Sequence, residues 1–129
     1  MRIIRTVAVW TLQIFIGSLF VLVGVMKFVD PSWVRNFARW GYPDHFYMVV
    51  GVLEAVGGVA LLVPRLTTYA ALLLTTMMTG AVLTHLLHGE MHRVRGPLLY
   101  LVVVALTGWL RRKSAGRLRA ASTEQHAVV

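Results

Sequence analysis

The chain has 129 residues, of which 57% are apolar and only 14% are charged. This composition is too apolar for a water-soluble domain and is typical of a small integral membrane protein. Because the sequence has no cysteine, disulfides, thiolate catalysis and cysteine-ligated clusters are excluded. The formal net charge of +8 does not indicate nucleic-acid binding, since the basic residues stand at the ends of apolar segments and in the tail.

Four apolar segments follow one another along the chain. Crossing the hydrocarbon core of a bilayer takes about 20 apolar residues. Segments 7–28, 46–63 and 66–87 meet this length, and segment 95–111 meets it when its terminal basic side chains extend to the surface. The sequence therefore predicts an all-α integral membrane four-helix bundle, residues 1–113, followed by a flexible cytoplasmic tail, residues 114–129.

The segment between the first two spans has a different character. It reads PSWVRNFARWGYP, with apolar residues at helical spacing, and this pattern predicts a short helix at the membrane interface. Its aromatic residues have two interpretations. They anchor the protein at the headgroup level, or Trp40 and Tyr42 form the wall of a pocket for a lipophilic molecule.

The basic residues also predict an orientation. With both termini in the cytoplasm, eight of the 13 lysines and arginines lie on the cytoplasmic side, which satisfies the positive-inside rule. These eight are Arg2, Arg5, Arg65, Arg111, Arg112, Lys113, Arg117 and Arg119.

Glu54 stands alone in the middle of the second apolar segment. An ionisable group near the bilayer centre costs about 3 kcal/mol or more, so such groups usually face a bundle interior and often mark function. In a helix, side chains lean toward the amino terminus of their own helix. Lys27 and His85 then lean toward the midplane, while Glu54 leans toward them. The sequence predicts that these three side chains converge in the outer half of the bundle.

By helical spacing, further residues lie on or beside the helical faces that carry Lys27, Glu54 and His85. Small residues accompany each polar residue, and small residues mark the packed side of a membrane helix. The candidate catalytic residues are Glu54, His85 and Lys27. The candidate ligand-binding residues are Trp40, Tyr42, Phe20, Gly51, Gly58, Thr84 and His88.

Each polar residue also has a structural interpretation. Glu54 bonded to a neighbouring helix would fix helix register without any chemistry, and Lys27 at the end of a span would extend its ammonium to the headgroups. His85, His88 and His92 have a spacing at which a metal could bind, with Glu90 nearby. Because Gly89 is expected to end the helix and scatter these side chains, no metal site is predicted. No opposed axial ligands indicate a haem.

Four sequence stretches together resemble the DoxX family of small four-span membrane proteins. They are GSLFVLVGVMKF, FARWGYP, GVLEAVGGVALLVPR and TGAVLTH, in this order. The resemblance covers roughly residues 14–110. It implies a four-helix bundle in a bacterial cytoplasmic membrane and a redox-associated role, since the family is named for a subunit of a thiosulfate:quinone oxidoreductase. The residues that carry it are Gly24, Lys27, Phe28, Gly51, Glu54, Gly58, Leu62, Pro64, Arg65 and His85.

Three functions remain open at this point. The leading hypothesis is a redox-associated subunit that binds a quinone-like or other lipophilic molecule in an outer-half pocket, with proton transfer through Glu54. The alternative is a non-catalytic scaffold that recruits a soluble redox partner to the bilayer, and the third is a small proton-coupled carrier, which as a homo-oligomer could form a path. Quinone is the only cofactor that these hypotheses include.

Overall fold

The computed structural model describes residues 2–128, apart from the side chains at positions 114, 115, 117 and 118. Within this part of the chain all regular secondary structure is helical, which confirms the all-α prediction. The helices are α1 (Arg2–Val29), α2 (Ser32–Arg39), α3 (Phe46–Leu62), α4 (Thr67–Leu87) and α5 (Arg95–Val128), with a 3₁₀ turn at Met91–Arg93.

Among residues 2–128, three segments are long and apolar enough to cross a membrane. They are Arg2–Val29, Thr67–Leu87 and Met91–Lys113. α3 is also apolar but has 17 residues, a length of about 26 Å, which is close to the hydrocarbon thickness of about 30 Å. These helices agree with a membrane helical bundle, and the predicted apolar segments coincide with α1, α3, α4 and the first half of α5.

α5 is longer than the predicted fourth segment. It continues as a helix through residues 114–128, where the sequence predicts a flexible tail. The described side chains from Arg112 onward are exposed, so packing against the bundle does not hold this part in place. Its alanines, arginines and leucine favour a helical backbone by intrinsic propensity. Flexibility of the segment stays a prediction.

Glycines bring α1 and α3 into close contact. Gly17 lies against Gly58, and Gly24 lies against Gly51. Within each helix the two glycines are seven residues apart and therefore lie on one face. Because the later glycine of α1 contacts the earlier glycine of α3, the two helices run antiparallel. A Cβ atom at Gly24 would stand only 2.5 Å from the carbonyl oxygen of Gly51. Only glycine permits this approach, and the contact fixes the register of α1 against α3.

A buried polar network connects the helices near the amino terminus of α1. We call this end of the bundle the amino-terminal end. Gln13 is fully buried, and its Nε2 donates to the Leu61 carbonyl oxygen at 2.5 Å and to Thr67 Oγ1 at 3.0 Å. Arg111 Nε donates to Gln13 Oε1 at 3.0 Å, and the guanidinium lies 4.7 Å from the centroid of the Trp10 ring. This network connects α1, α3, α4 and α5.

Candidate functional site

A cavity of about 500 Å³ lies at the opposite end of the bundle, which carries α2 and the 3₁₀ turn and is called the α2 end below. Its volume falls in the range of small-molecule sites, about 300 to 1,000 Å³. α1, α2, α3, α4 and α5 all contribute to its wall. The wall is mostly aromatic and aliphatic and includes Val23, Phe37, Phe46, Met77, Met78 and Tyr100.

A buried ion pair lies in the wall of this cavity, which Arg93 also lines. Lys27 Nζ donates to Glu54 Oε2 at 2.6 Å, and the two residues are 3% and 2% exposed. Both side chains line the cavity. The predicted convergence of Lys27 and Glu54 is therefore observed in the structure.

The register of α1 against α3 explains how these two side chains meet. Gly24 and Gly51 lie opposite each other, Lys27 follows Gly24 by three residues and Glu54 follows Gly51 by three. Because the helices are antiparallel, the two backbones are separated by about 9 Å along the bundle axis. Each side chain leans toward the amino terminus of its own helix, and these leanings point toward each other.

The Lys27 ammonium has a second neighbour in α2. Its Nζ lies 4.1 Å from the centroid of the Trp33 ring, a cation–π contact, which contributes about 2 kcal/mol where water is excluded. Trp33 also lines the cavity. The ammonium is thus held between a carboxylate and an aromatic face instead of extending to the headgroups.

α2 and the loop after it cover the cavity at the α2 end. Phe37 is 7% exposed, and its ring is in contact with five other aromatic rings. Tyr42 joins this cover to α4 through a 2.5 Å hydrogen bond with Thr84 Oγ1. The Thr84 hydroxyl proton is already donated to the Gly80 carbonyl oxygen, so Tyr42 is the donor. We call residues 32–46 the cover. The five rings around Phe37 are those of Trp33, Trp40, Tyr42, Phe46 and Tyr47.

Glu90 fastens the cover to the turn between α4 and α5. Its Oε1 accepts hydrogen bonds from Arg39 and, at 3.4 Å, from Trp40 Nε1, while its Oε2 accepts from His85 Nδ1 at 2.8 Å. The pKa of Glu90 lies below its usual value, mainly because of the hydrogen bond from His85. Partial burial raises this pKa, whereas Trp40, Arg39 and Arg93 lower it further. Just before the cover, the Asp30 carboxylate accepts a hydrogen bond from the Ser32 backbone N–H. This hydrogen bond lowers the pKa of Asp30.

His85 lies in the cavity wall, but its side chain bonds to Glu90 and not to Glu54. The reason is local. Gly89 adopts a positive φ of 68°, the chain reverses, and the Glu90 backbone N–H donates to the His85 carbonyl oxygen at 2.8 Å. This turn brings the Glu90 carboxylate beside the imidazole. The structure therefore divides the predicted triad into a Lys27–Glu54 pair inside the cavity and a His85–Glu90 pair at its rim.

The predicted ligand-binding residues fall into two groups. Trp40, Tyr42 and Thr84 line the cavity. The remaining four are placed elsewhere in the structure. Phe20 is a core residue against Tyr100, Gly51 and Gly58 form the α1–α3 contact, and His88 Nδ1 donates to the Thr84 carbonyl oxygen at 2.8 Å.

Several residues of the cavity and its rim are not among the site residues predicted from the sequence. The sequence indicates Glu90 only as a possible metal ligand, although it is the only acidic residue near the end of the third apolar segment. For Trp33 and Phe37 the apolar spacing predicts an interfacial helix and does not single them out as site residues. Among the described residues, no three histidine, aspartate and glutamate side chains are grouped so that they could hold a metal ion.

This arrangement suits an apolar molecule that carries one polar group. The apolar wall would hold hydrocarbon or an aromatic ring, and the Lys27 ammonium can donate a hydrogen bond to an acceptor such as a carbonyl oxygen. Hydrogen bonds to a charged donor contribute about 1.5 to 3 kcal/mol. The site thus combines non-specific apolar affinity with one specific polar contact.

Comparison with known proteins agrees with the resemblance noted in the sequence. Neither the curated proteins nor the solved structures include a match to the chain. A family model described as "DoxX-like family" matches residues 11–107, which include α3, α4, the cover, and both members of the ion pair. The chain therefore belongs to the DoxX-like family of membrane proteins.

Proposed function

We propose that the protein binds a quinone-like lipophilic molecule in the cavity at the α2 end and serves as the membrane subunit of a redox system. The observation that carries this proposal is the combination of an apolar cavity of about 500 Å³ with a buried ammonium–carboxylate pair in its wall. A purely structural ion pair needs no cavity beside it, whereas a ligand site does.

The residues of the cavity fit a quinone ring. Tyr100, Phe37 and Met77 offer flat or adaptable apolar surface. Lys27 would donate to a carbonyl oxygen of the ring, and Glu54, at 2.6 Å from the ammonium, would accept or return a proton there. Quinone reduction takes up two electrons and two protons, and a soluble redox partner would supply the electrons.

The same proposal includes four spans and an orientation. α3 would form the fourth membrane-crossing helix, because Glu54 at its centre is buried inside the bundle and the α3 surface that faces outward is apolar. Both termini would be cytoplasmic in a bacterial cytoplasmic membrane, in agreement with the distribution of basic residues. The cavity would then lie in the outer half of the bilayer, with α2 near the interface.

Quenching of tryptophan fluorescence by decylubiquinone tests the binding. Trp33 and Trp40 line the cavity, whereas Trp10 and Trp109 do not. In nanodiscs, a variant with Trp10→Phe and Trp109→Phe retains only the cavity tryptophans, and we expect saturable quenching. The matched variant with Trp33→Phe and Trp40→Phe should show only the linear collisional quenching of a quinone dissolved in the bilayer. Linear quenching of both variants would contradict the proposal.

A second ligand tests the polar contact. Decylbenzene has a similar apolar chain and ring but no carbonyl oxygen. If Lys27 donates to the ligand, decylubiquinone should bind more tightly by about 1.5 to 3 kcal/mol, roughly tenfold to 150-fold in Kd, measured by competition. Equal affinities would show that the cavity recognises only apolar surface.

Scaffolding is the second candidate function, and the second half of α5, whose described side chains are exposed, favours it. Residues 113–128 extend as a helix for about 22 Å beyond the apolar part of α5. Such a helix is available to a soluble partner. Copurification distinguishes the two functions: a partner lost on deleting residues 114–129 but retained by Glu54→Leu favours scaffolding, whereas a partner that depends on Glu54 favours the ligand site.

A further inference from the structure

We infer that the ligand enters the cavity sideways from the bilayer, through a gap between α3 and α4 that Leu53 and Gly80 border. This inference takes the ligand class from the proposed function and adds its route and its shape. Three structural features carry it: the α3–α4 contact opens toward the α2 end, the opening lies among lipid-facing side chains, and the water-facing end of the cavity is covered.

α3 and α4 are in tight contact in the half of the bundle near the amino-terminal end. There Gly57 accommodates Leu74, which is fully buried, and a Cβ atom at Gly57 would stand 2.8 Å from Leu74 Cδ2. A ligand has no path between the helices at this depth.

One turn closer to the α2 end the same contact is open. Leu53 lies four residues before Gly57 and thus on the same face of α3, and it is 37% exposed while lining the cavity. Gly80 of α4 also lines the cavity, and a Cβ atom there would meet nothing within 4 Å. Each of these residues lies about 10 Å from the α2 end of its helix, so they border the gap at one depth.

The side chains around this gap are those of a lipid-facing surface. Val49 also lines the cavity and is 52% exposed, and the neighbouring Val52 and Leu83 are 50% and 53% exposed. In a protein of this class, such exposed apolar residues at this depth face hydrocarbon. The gap therefore opens into the bilayer.

The other sides of the cavity are less accessible. The glycine contacts close α1 against α3 along their length. At the α2 end, Tyr42 is bonded to Thr84, and Glu90 holds Arg39 and Trp40 of the cover. Between α1 and α5, the rings of Phe20 and Tyr100 are in contact with centroids 5.3 Å apart. Gly96 of α5 also lines the cavity, closer to the α2 end, and a Cβ atom there would meet nothing within 4 Å. It therefore serves as a control position for Gly80.

The inferred ligand has two parts. Its polar head reaches Lys27, and an apolar chain passes between Leu53 and Gly80 into the bilayer. A compact water-soluble substrate does not fit this route, whereas a single-chain lipophilic molecule with one acceptor group at its end does.

The absence of native cysteine allows a direct test that does not depend on the identity of the ligand. Ala81→Cys places one thiol in the cavity wall. In proteoliposomes, this thiol is labelled with N-dodecylmaleimide, which partitions into the bilayer, or with a permanently charged methanethiosulfonate. Each rate is normalised to an accessible reference cysteine, at Leu72 for the lipid reagent and at Glu124 for the charged reagent.

We expect Gly80→Trp to slow labelling by the lipid reagent about tenfold, which is a rise of about 1.4 kcal/mol in the barrier. Gly96→Trp should change this rate less than about twofold. For the thiol of Ala81→Cys alone, normalised labelling by the charged reagent should be at least about tenfold slower than labelling by the lipid reagent. Faster labelling by the charged reagent, equal slowing by both tryptophans, or no slowing by Gly80→Trp overturns the inference.

Both tryptophans enter open space, so these variants are expected to fold, and matching thermal unfolding confirms it. The test also separates this inference from the proposed function. If decylubiquinone does not bind the parent protein but labelling follows the α3–α4 gap, the route is supported and the quinone assignment is wrong. If decylubiquinone binds but labelling does not follow the gap, the route is wrong and the site is retained.

Discussion

Removing one member of the Lys27–Glu54 pair is expected to cost far more stability than removing both. At 2.6 Å the two charges attract by about 6 kcal/mol at an effective dielectric constant of about 20. Burying the two ions costs several kcal/mol each, so the intact pair contributes little net stability. A lone buried charge, however, keeps its desolvation cost without the attraction. Glu54→Leu and Lys27→Met should each lower the free energy of unfolding by about 3 to 5 kcal/mol.

The double variant with Lys27→Met and Glu54→Leu should return to within about 1 kcal/mol of the parent protein, because it leaves no unpaired charge. The assay is reversible unfolding by SDS in mixed micelles, with helicity as the readout. Glu124→Gln, at an exposed position of α5, serves as the control and should change the free energy by less than about 0.5 kcal/mol. Losses that add in the double variant, or single losses below about 1 kcal/mol, would refute this reasoning.

Three further predictions concern packing, the cover and the polar network. Gly24→Ala should destabilise the protein by about 1 to 3 kcal/mol, because the new Cβ atom would stand 2.5 Å from the Gly51 carbonyl oxygen. Gly80→Ala should be neutral or stabilising, because its Cβ atom would meet no atom within 4 Å. Equal thermal unfolding temperatures for the two variants would contradict the close packing of α1 against α3. The pKa of Glu90 is lowered in the folded protein, so its contribution to stability is present above the usual glutamate range and is lost as the pH falls through the folded value. Unfolding temperatures measured from pH 7 to pH 3 should therefore fall more for the parent than for Glu90→Gln, and parallel curves would argue against this role. Gln13→Leu should cost about 1 to 3 kcal/mol in the SDS assay because it leaves Arg111 without its buried acceptor; no loss would show that water replaces the amide.

Much of the ion pair could be predicted because its cause is local and geometric. The position of Glu54 in an apolar segment, the direction in which helical side chains lean, and the glycines on the same faces are all visible in the sequence. They were sufficient to bring Lys27 and Glu54 together, and the structure has them at 2.6 Å.

The rim of the cavity could not be predicted in the same way. The pairing of His85 with Glu90 depends on a chain reversal at Gly89, and a helical projection of the apolar segment stops before that turn. Likewise, the aromatic residues of α2 have the same spacing whether the helix lies flat on a membrane or covers a cavity. Contacts with the rest of the bundle reveal the cover, such as the contact of the Lys27 ammonium with the Trp33 ring and the hydrogen bond between Tyr42 and Thr84.

The measurement that tests the central claim most directly is photo-crosslinking with a decylquinone that carries a diazirine on its chain. In nanodiscs, we expect crosslinks on cavity residues such as Met77 and Met78, which excess decylubiquinone suppresses. Crosslinks confined to outward-facing residues such as Val56 and Trp109, with the same yield in the presence of excess decylubiquinone, would contradict the claim that this cavity is a ligand site.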